Sequence, residues 1–276
     1  NSMSNITASE VNKLRKATGA GMMDCKNALV EAKGDFELAI ENLRKKGQKV
    51  AAKRADRDSS EGAVIAMVSD DHSKGVIVSL NCETDFVAKN ESFVELAKSI
   101  CKIALNCANL DELLSSNHES MTISEKLIEQ TGVIGEKLEI GSFEHVSSEY
   151  VGYYIHAGNK IATIVGLSNN FENASEVSKN VAMQVAAMNP IALNEDSVSS
   201  EVIEKEIEIA KEQLRAEGKP EAMLDNIAKG KLKKFFKENT LVNQSYIKDN
   251  KSSVNNYVQS VNKDCTITSF KRVALV

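Results

Sequence analysis

Residues 63–100 read AVIAMVSDDHSKGVIVSLNCETDFVAKNESFVELAKSI. Two β-branched, apolar runs flank a polar turn that contains a glycine, the signature of a β-hairpin. A helical pattern then opens with Asn90 as N-cap and places Phe93, Leu96, Ala97, Ile100 and Ala104 on one face. Hairpin followed by helix recurs further along. VGYYIHAGNKIATIVGLS (151–168) is again strand, glycine turn, strand, and ENASEVSKNVAMQVAAMNP (172–190) is a helix with Val177, Val181, Val185 and Met188. The repeat predicts an α+β core of two related halves, starting at Ala63 and Val151. It reads either as an internal duplication or as the common use of hairpin plus helix in α+β proteins. Between the halves, SEKLIEQTGVIGEKLEIGSFEHV (124–146) predicts a helix, a glycine-marked turn and a strand.

Working outward, the segment before the hairpin predicts three short helices. TASE gives Thr7 and Glu10 the spacing of a capping box. MMDCKNALVEAKG puts Met22, Cys25, Leu29 and Ala32 on one face and stops at Gly34. Asp35 caps the third helix, with Ile40 and Leu43 inward. The polar KRADRDSSEG (53–62) reads as a linker. Downstream, Ile203, Ile207, Ala210 and Leu214 form a narrow seam of heptad type among Glu and Lys. A turn at AEGKP and a second helix with Leu224, Ala228, Leu232 and Phe235 complete an antiparallel helical hairpin, suited to a projecting arm. A short helix at Val254–Val261 and a final strand in CTITSFKRVALV (265–276) follow. The expected divisions are a three-helix module at 1–55, a linker at 56–62, one core half at 63–150, the other at 151–198 with 240–276, and an arm at 199–239.

The chain has 276 residues, 26% of them charged, a formal charge of -5 and two prolines. That balance offers no overall basic field for nucleic acid. No apolar run approaches the roughly 20 residues of a membrane span. Cys25, Cys82, Cys101, Cys107 and Cys265 form no CxxC pair and no cluster with His. Their odd count, without an apolar secretory segment, predicts reduced thiols in a cytoplasmic protein.

Candidate chemistry centres on NCETDFVAKN (81–90). Glu83 and Asp85 would share a face of an extended segment as an acid–base or metal pair, but no third ligand stands at useful spacing. Cys82 would need a base as a nucleophile; His72 and His156 could supply one only through proximity in the fold. A strand-end Cys is more often a small core residue. Phe86, a large aromatic in a polar connector, reads either as a hydrophobic staple packed back on Val94 or Leu96 or as an anchor for another protein. Met22 and Met23 cannot both face one core, since successive helical residues point about 100° apart. An exposed Met at a helix start suits an adaptable protein contact.

VNKLRKATGAGMMDCKNALVEAKGDFELAIENLRKKG (11–47) and NCETDFVAKN (81–90) resemble the two signature motifs of the elongation factor Ts family. The order of parts fits as well, and the similarity extends from Ile6 to Val276. The resemblance implies a guanine-nucleotide exchange factor for elongation factor Tu, a GTPase, that releases GDP in translation elongation without making or breaking a covalent bond. It implies no catalytic residue, cofactor or metal of its own, and no direct contact with nucleic acid or membrane. It implies an N-terminal module similar to ubiquitin-associated (UBA) domains. By motif, Asp85 and Phe86, with Thr84 and Val87 beside them, match the loop that reaches the Tu nucleotide domain near its Mg²⁺, the phenyl ring entering between two helices. Met22, Met23 and Lys26 match the N-terminal contact, His156 a contact of the core, and Ile134, Gly135 and Ile247 further contacts. The helical hairpin implies self-association through the arm. Some members carry an additional C-terminal helix that touches Tu, and the resemblance carries none of those contacts onto a sequence whose last residue is Val276. The rival readings are a UBA-like adaptor that binds through residues up to Arg54 alone, and a hydrolase built on Cys82 or the Glu83/Asp85 pair.

Overall fold

The computed structural model describes residues 5–275. The outermost residues of the predicted first and last divisions, 1–4 and 276, lie outside them. In chain order the elements are α1 (Ala8–Thr18), α2 (Met22–Glu31), α3 (Phe36–Lys53), β1 (Glu61–Val68), β2 (Lys74–Cys82), α4 (Asp85–Ala88), α5 (Glu91–Ala104) and α6 (Leu110–Ser115). Then follow β3 (Asn117–His118), β4 (Met121–Thr122), α7 (Ile123–Ile134), β5 (Glu139–Ser147), β6 (Tyr150–Ile155), β7 (Ile161–Leu167) and α8 (Ala174–Met188). The last are α9 (Ser200–Ala216), α10 (Glu221–Asn239), β8 (Ser245–Tyr246), β9 (Asp249–Ser253), α11 (Val254–Val261) and β10 (Ile267–Ala274).

Two three-stranded antiparallel sheets form the centre. One has the order β1-β2-β5 and the other β10-β7-β6. In each, the second strand of the hairpin is central and a later strand joins it. The strands alternate faces, and both faces are used. Ala63 and Ile65 of β1, with Val76, Val78 and Leu80 of β2, pack with Phe93, Ala97 and Ile100 of α5. The intervening Val64, Ala66 and Ile77 meet Val151, Ala162 and Ile164 of the other sheet. Val165 and Leu167 of β7 turn away from that seam towards Val177, Val181 and Val185 of α8. The result is four layers, helix, sheet, sheet, helix. Burial on both faces explains why β2 and β7 read as unbroken apolar runs rather than as an alternation.

The N-terminal helices pack around Leu14, Cys25, Leu29 and Leu43, and Val133 of α7 leans on that cluster. Thr7 caps α1 by accepting from the Glu10 amide at 3.1 Å, and Asp35 caps α3 by accepting from the Leu38 amide at 3.2 Å. The module is not a free bundle on a tether. α3 lies along α7, and Gly47 and Gly132 meet at their crossing. β1 begins at Glu61, inside the stretch expected to be linker. In the arm, Ala210 and Leu214 of α9 and Leu224 and Ala228 of α10 are buried, as the seam predicts. Ile203, Ile207, Leu232 and Phe235 are only half-buried, as befits two helices with no third layer.

Candidate functional site

The signature stretch folds as a single helical turn between a strand and a helix. Thr84 has extended backbone, φ -122° and ψ 154°, and its Oγ1 accepts from the Val87 amide at 3.4 Å. Asn90 caps the next helix, its Oδ1 accepting from the Ser92 amide at 2.9 Å. Two caps within seven residues restrict the intervening chain to one turn, α4. Ala88 is buried and Val87 packs against the α5 side of the first sheet. Successive helical residues are about 100° apart, so with those two facing inward Phe86 points out. Its side chain is 84% exposed. The staple on Val94 or Leu96 is therefore overturned. The cap is Thr84 and not Asp85; the Asp85 carboxylate stands in the first turn with Lys89 Nζ at 3.6 Å, a surface ion pair of small worth.

Beneath this turn lies a polar lattice that holds its root. Glu136 accepts at Oε1 from the amides of Glu83 (3.1 Å) and Thr84 (3.0 Å), and at Oε2 from the Thr84 hydroxyl (2.7 Å). Glu83 accepts a bidentate pair from Arg54, Nε at 2.7 Å and Nη2 at 2.9 Å, and a third bond from the Lys137 amide at 2.6 Å. The Arg54 guanidinium holds the Glu83 carboxyl below the usual carboxylate range against the cost of burial. Lys137 Nζ reaches back to the Ala55 carbonyl at 3.0 Å. Ile134 is half-buried against the first core, and Gly135 ends α7 in the left-handed region at φ 81°, which lets the chain turn Glu136 towards the root.

The sequence reading gives Arg54, Glu136 and Lys137 no functional role. Their partners are distant in the chain, and no periodicity marks them. One signal was present: an acidic residue just past a helix C-terminus opposes the helix dipole, so Glu136 stands where a local role would not put it.

This lattice also disposes of the catalytic readings. Glu83 is engaged by Arg54, so it and Asp85 form no free pair. Cys82 is buried, donates to the Thr84 carbonyl at 3.2 Å, and is pushed up to about 12, chiefly by burial. Such a thiol is a poor nucleophile at neutral pH. Among the described residues no group of three or more His, Cys, Asp or Glu is arranged to hold a metal, and no helix is long and apolar enough to cross a membrane.

The other expected contact residues fall in two further places. Met22 and Met23 open α2 and are 56% and 63% exposed, with Lys26 exposed one turn on. Met22 was expected on the face of Cys25, Leu29 and Ala32; those three are buried, but no element covers the first turn. Asp24 pairs with Lys46 Nζ at 2.8 Å, tying this turn to α3. His156 and Ile247 line one cleft with Tyr154, Met183 and Arg272. His156 Nδ1 shares a hydrogen bond with the Tyr154 hydroxyl at 3.0 Å, and the Ile247 amide donates to Gln184 Oε1 at 2.8 Å. The sequence offered no link between these two residues, 91 positions apart by their numbers.

Comparison with known proteins bears on this arrangement. Residues 83–276 match the family model described as Elongation factor TS. The chain is 64% identical over 273 residues to a protein of Christiangramia forsetii named Elongation factor Ts, covering 99% of this chain and 100% of that one. It is 63% identical, with the same coverage, to the protein of that name from Flavobacterium psychrophilum. It is 45% identical to the one from Porphyromonas gingivalis, over 98% of each.

Proposed function

Because the chain belongs to the elongation factor Ts family, we propose that it is a guanine-nucleotide exchange factor that binds elongation factor Tu, both GDP-bound and nucleotide-free, and expels GDP with Phe86 as the wedge. The family's place is translation elongation. The observation that carries the wedge is the 84% exposure of a phenyl ring on a turn fixed at both ends. An apolar ring held in water by a rigid mount is a ready anchor for a partner pocket.

The energetics set what the ring must do. GDP is held in a GTPase by backbone amides and by Mg²⁺ bridging phosphate and a hydroxyl side chain. A factor weakens GDP only in so far as it binds the nucleotide-free state better than the GDP-bound state, and the two factors of weakening are equal. Burying one phenyl ring stabilises by about 1.5–3 kcal/mol, which is about 10- to 100-fold in an equilibrium. That stabilisation drives release only if the pocket for the ring forms in the open state. A shift of the helices around Mg²⁺ suffices, since that ion demands near-ideal octahedral geometry. Asp85 stands beside the ring as the acidic partner in the same pocket, with Thr84 and Val87 as its footing.

Met22, Met23 and Lys26 supply a second contact through α2, and the His156–Ile247 cleft a third; Ile134 and Gly135 flank the first. No step calls for a catalytic residue or a cofactor of this chain. The packing of α3 on α7 speaks against an adaptor that acts through residues up to Arg54 alone. The test is release of fluorescent GDP from the cognate Tu. Phe86→Ala is expected to slow stimulated release by about 10- to 100-fold, and release at the unmutated rate overturns the wedge.

A further inference from the structure

The turn that presents Phe86 is held by an arginine from outside its own half of the core. Arg54 follows the last residue of α3, and its fork closes on Glu83 from the side of the N-terminal module. Glu83 is a single residue ahead of the Thr84 cap. Its side chain is 9% exposed, and it has two independent donors besides the second one from Arg54. On the other side Glu136 takes the two amides and the hydroxyl at the root. The Glu83 carboxylate and the amides of Glu83 and Thr84 are thereby held by Arg54, the Lys137 amide and Glu136, all from other segments. A planar guanidinium paired to a carboxylate through two parallel bonds fixes direction as well as distance.

The second half of the relationship runs through α7. Gln130 Nε2 donates at 2.8 Å to the carbonyl of Thr18, the last residue of α1, directly before the turn into α2. Gly132 admits α3 at close contact, and the end of the helix delivers Glu136 to Thr84. One helix therefore supports both the methionine pair and the mount of the ring.

We propose that Arg54 and Glu136 are positioning residues for exchange: they hold the Phe86 turn at the angle its pocket requires, and Arg54 makes the N-terminal module part of the ring's mount. This rests on the wedge reading above. Neither residue needs to touch Tu. Losing either leaves the ring in place but lets its turn sample other angles, which lowers the share of encounters that open the nucleotide site.

The test uses the full chain with cognate Tu carrying a fluorescent GDP, and reads the maximal release rate and the half-saturating concentration separately. Arg54→Ala and Glu136→Gln are expected to lower the maximal rate about tenfold, since small angular errors in a positioned group carry penalties of this size, with the half-saturating concentration little changed. Arg54→Lys keeps the charge without the fork and is expected to recover part of the rate. The double variant Arg54→Ala/Phe86→Ala is expected to be no slower than Phe86→Ala alone, because Arg54 acts through the ring. Amide exchange at Glu83 and Thr84 in folded Glu136→Gln is expected to be faster than in the unmutated protein. Phe86→Ala at the unmutated rate overturns the wedge and the proposal together. A slow Phe86→Ala with Arg54→Ala at the unmutated rate overturns the clamp alone. So does a double variant slowed by the full product of the two single effects. Unchanged amide exchange at residues 83 and 84 also overturns it.

Discussion

Gly132 of α7 faces Gly47 of α3 so closely that a methyl group on Gly132 would lie 2.6 Å from the Gly47 Cα and 2.9 Å from its nitrogen. The reverse substitution meets backbone too, with a methyl on Gly47 falling 2.4 Å from the Ile128 carbonyl oxygen. Backbone atoms cannot swing aside as the end of a side chain can. The crossing is therefore a contact between two helix backbones, and it seats the N-terminal module on the core.

Gly132→Ala and Gly230→Ala are expected to move stability in opposite directions. Alanine gains roughly 0.5–1 kcal/mol over glycine in a helix interior. At Gly230, exposed in the middle of α10, an added methyl meets nothing within 4 Å, so the gain stands. At Gly132 the helices must separate, and overpacking of this kind costs about 1–3 kcal/mol, which outweighs the propensity. Thermal melts check both. A Gly132→Ala protein melting above the unmutated one refutes the tight crossing.

Phe86→Ala is expected to leave the melting curve almost untouched while exchange falls. The ring is 84% exposed and makes no contribution to the core cluster that Val87 and Ala88 join. Surface substitutions of this sort stay within about 0.5 kcal/mol. Val87→Ala is the contrasting case, since it removes buried contacts under α4 and is expected to lower stability by about 1 kcal/mol. Equal losses in the two variants would mean that the ring packs on its own protein after all.

The strand and helix periods made the four-layer centre legible, because β2, β7, α5 and α8 each bury a face whose spacing is written in consecutive residues. The arm was legible for the same reason, from Ala210 and Leu214 against Leu224 and Ala228. What could not be read was any relation between distant polar groups. Arg54, Glu83 and Glu136 converge from three segments, and nothing local distinguishes Arg54 from its neighbours in KRADRD. Phe86 was read two ways because an aromatic before a helix serves equally as staple or as probe. With Thr84 as cap and Val87 and Ala88 packed inward, the structure rules out the staple. Gly47 and Gly132 carry no local signal either; the helix crossing is what requires them.

Acid is expected to loosen the mount of the ring. The Arg54 pair depresses the Glu83 carboxyl below its unfolded value of about 4.3. A depressed folded pKa means that its stabilisation is complete above the unfolded pKa and is lost as pH falls through the folded one. Asp71 is held at about 2 by the Ser73 amide and hydroxyl and by the Ser69 hydroxyl, so its turn persists well into acid. Stability measured between pH 5 and pH 3 should therefore fall less steeply for Glu83→Gln than for the unmutated protein, and the variant should be the less stable of the two at pH 7. Parallel curves would show that Glu83 keeps its proton affinity on folding.

The thiols are expected to be silent in the native protein. All five cysteines are unpaired and buried, none more than 2% exposed. Burial pushes Cys82 and Cys101 up to about 12, and it raises Cys25 and Cys265 as well. At pH 8 a group of pKa 12 is thiolate in roughly one molecule in 10⁴, against about a quarter for an ordinary thiol of pKa 8.5. A chromogenic disulfide reagent should therefore find no fast-reacting thiol in the folded chain and five after guanidinium unfolding. Slow labelling that does occur must pass through local opening. Gly132→Ala should then speed labelling at Cys25, which sits in the module that the crossing seats, and leave Cys101, between α5 and the first sheet, unchanged. Equal acceleration at both sites would mean that the module and the core open together, as one cooperative unit.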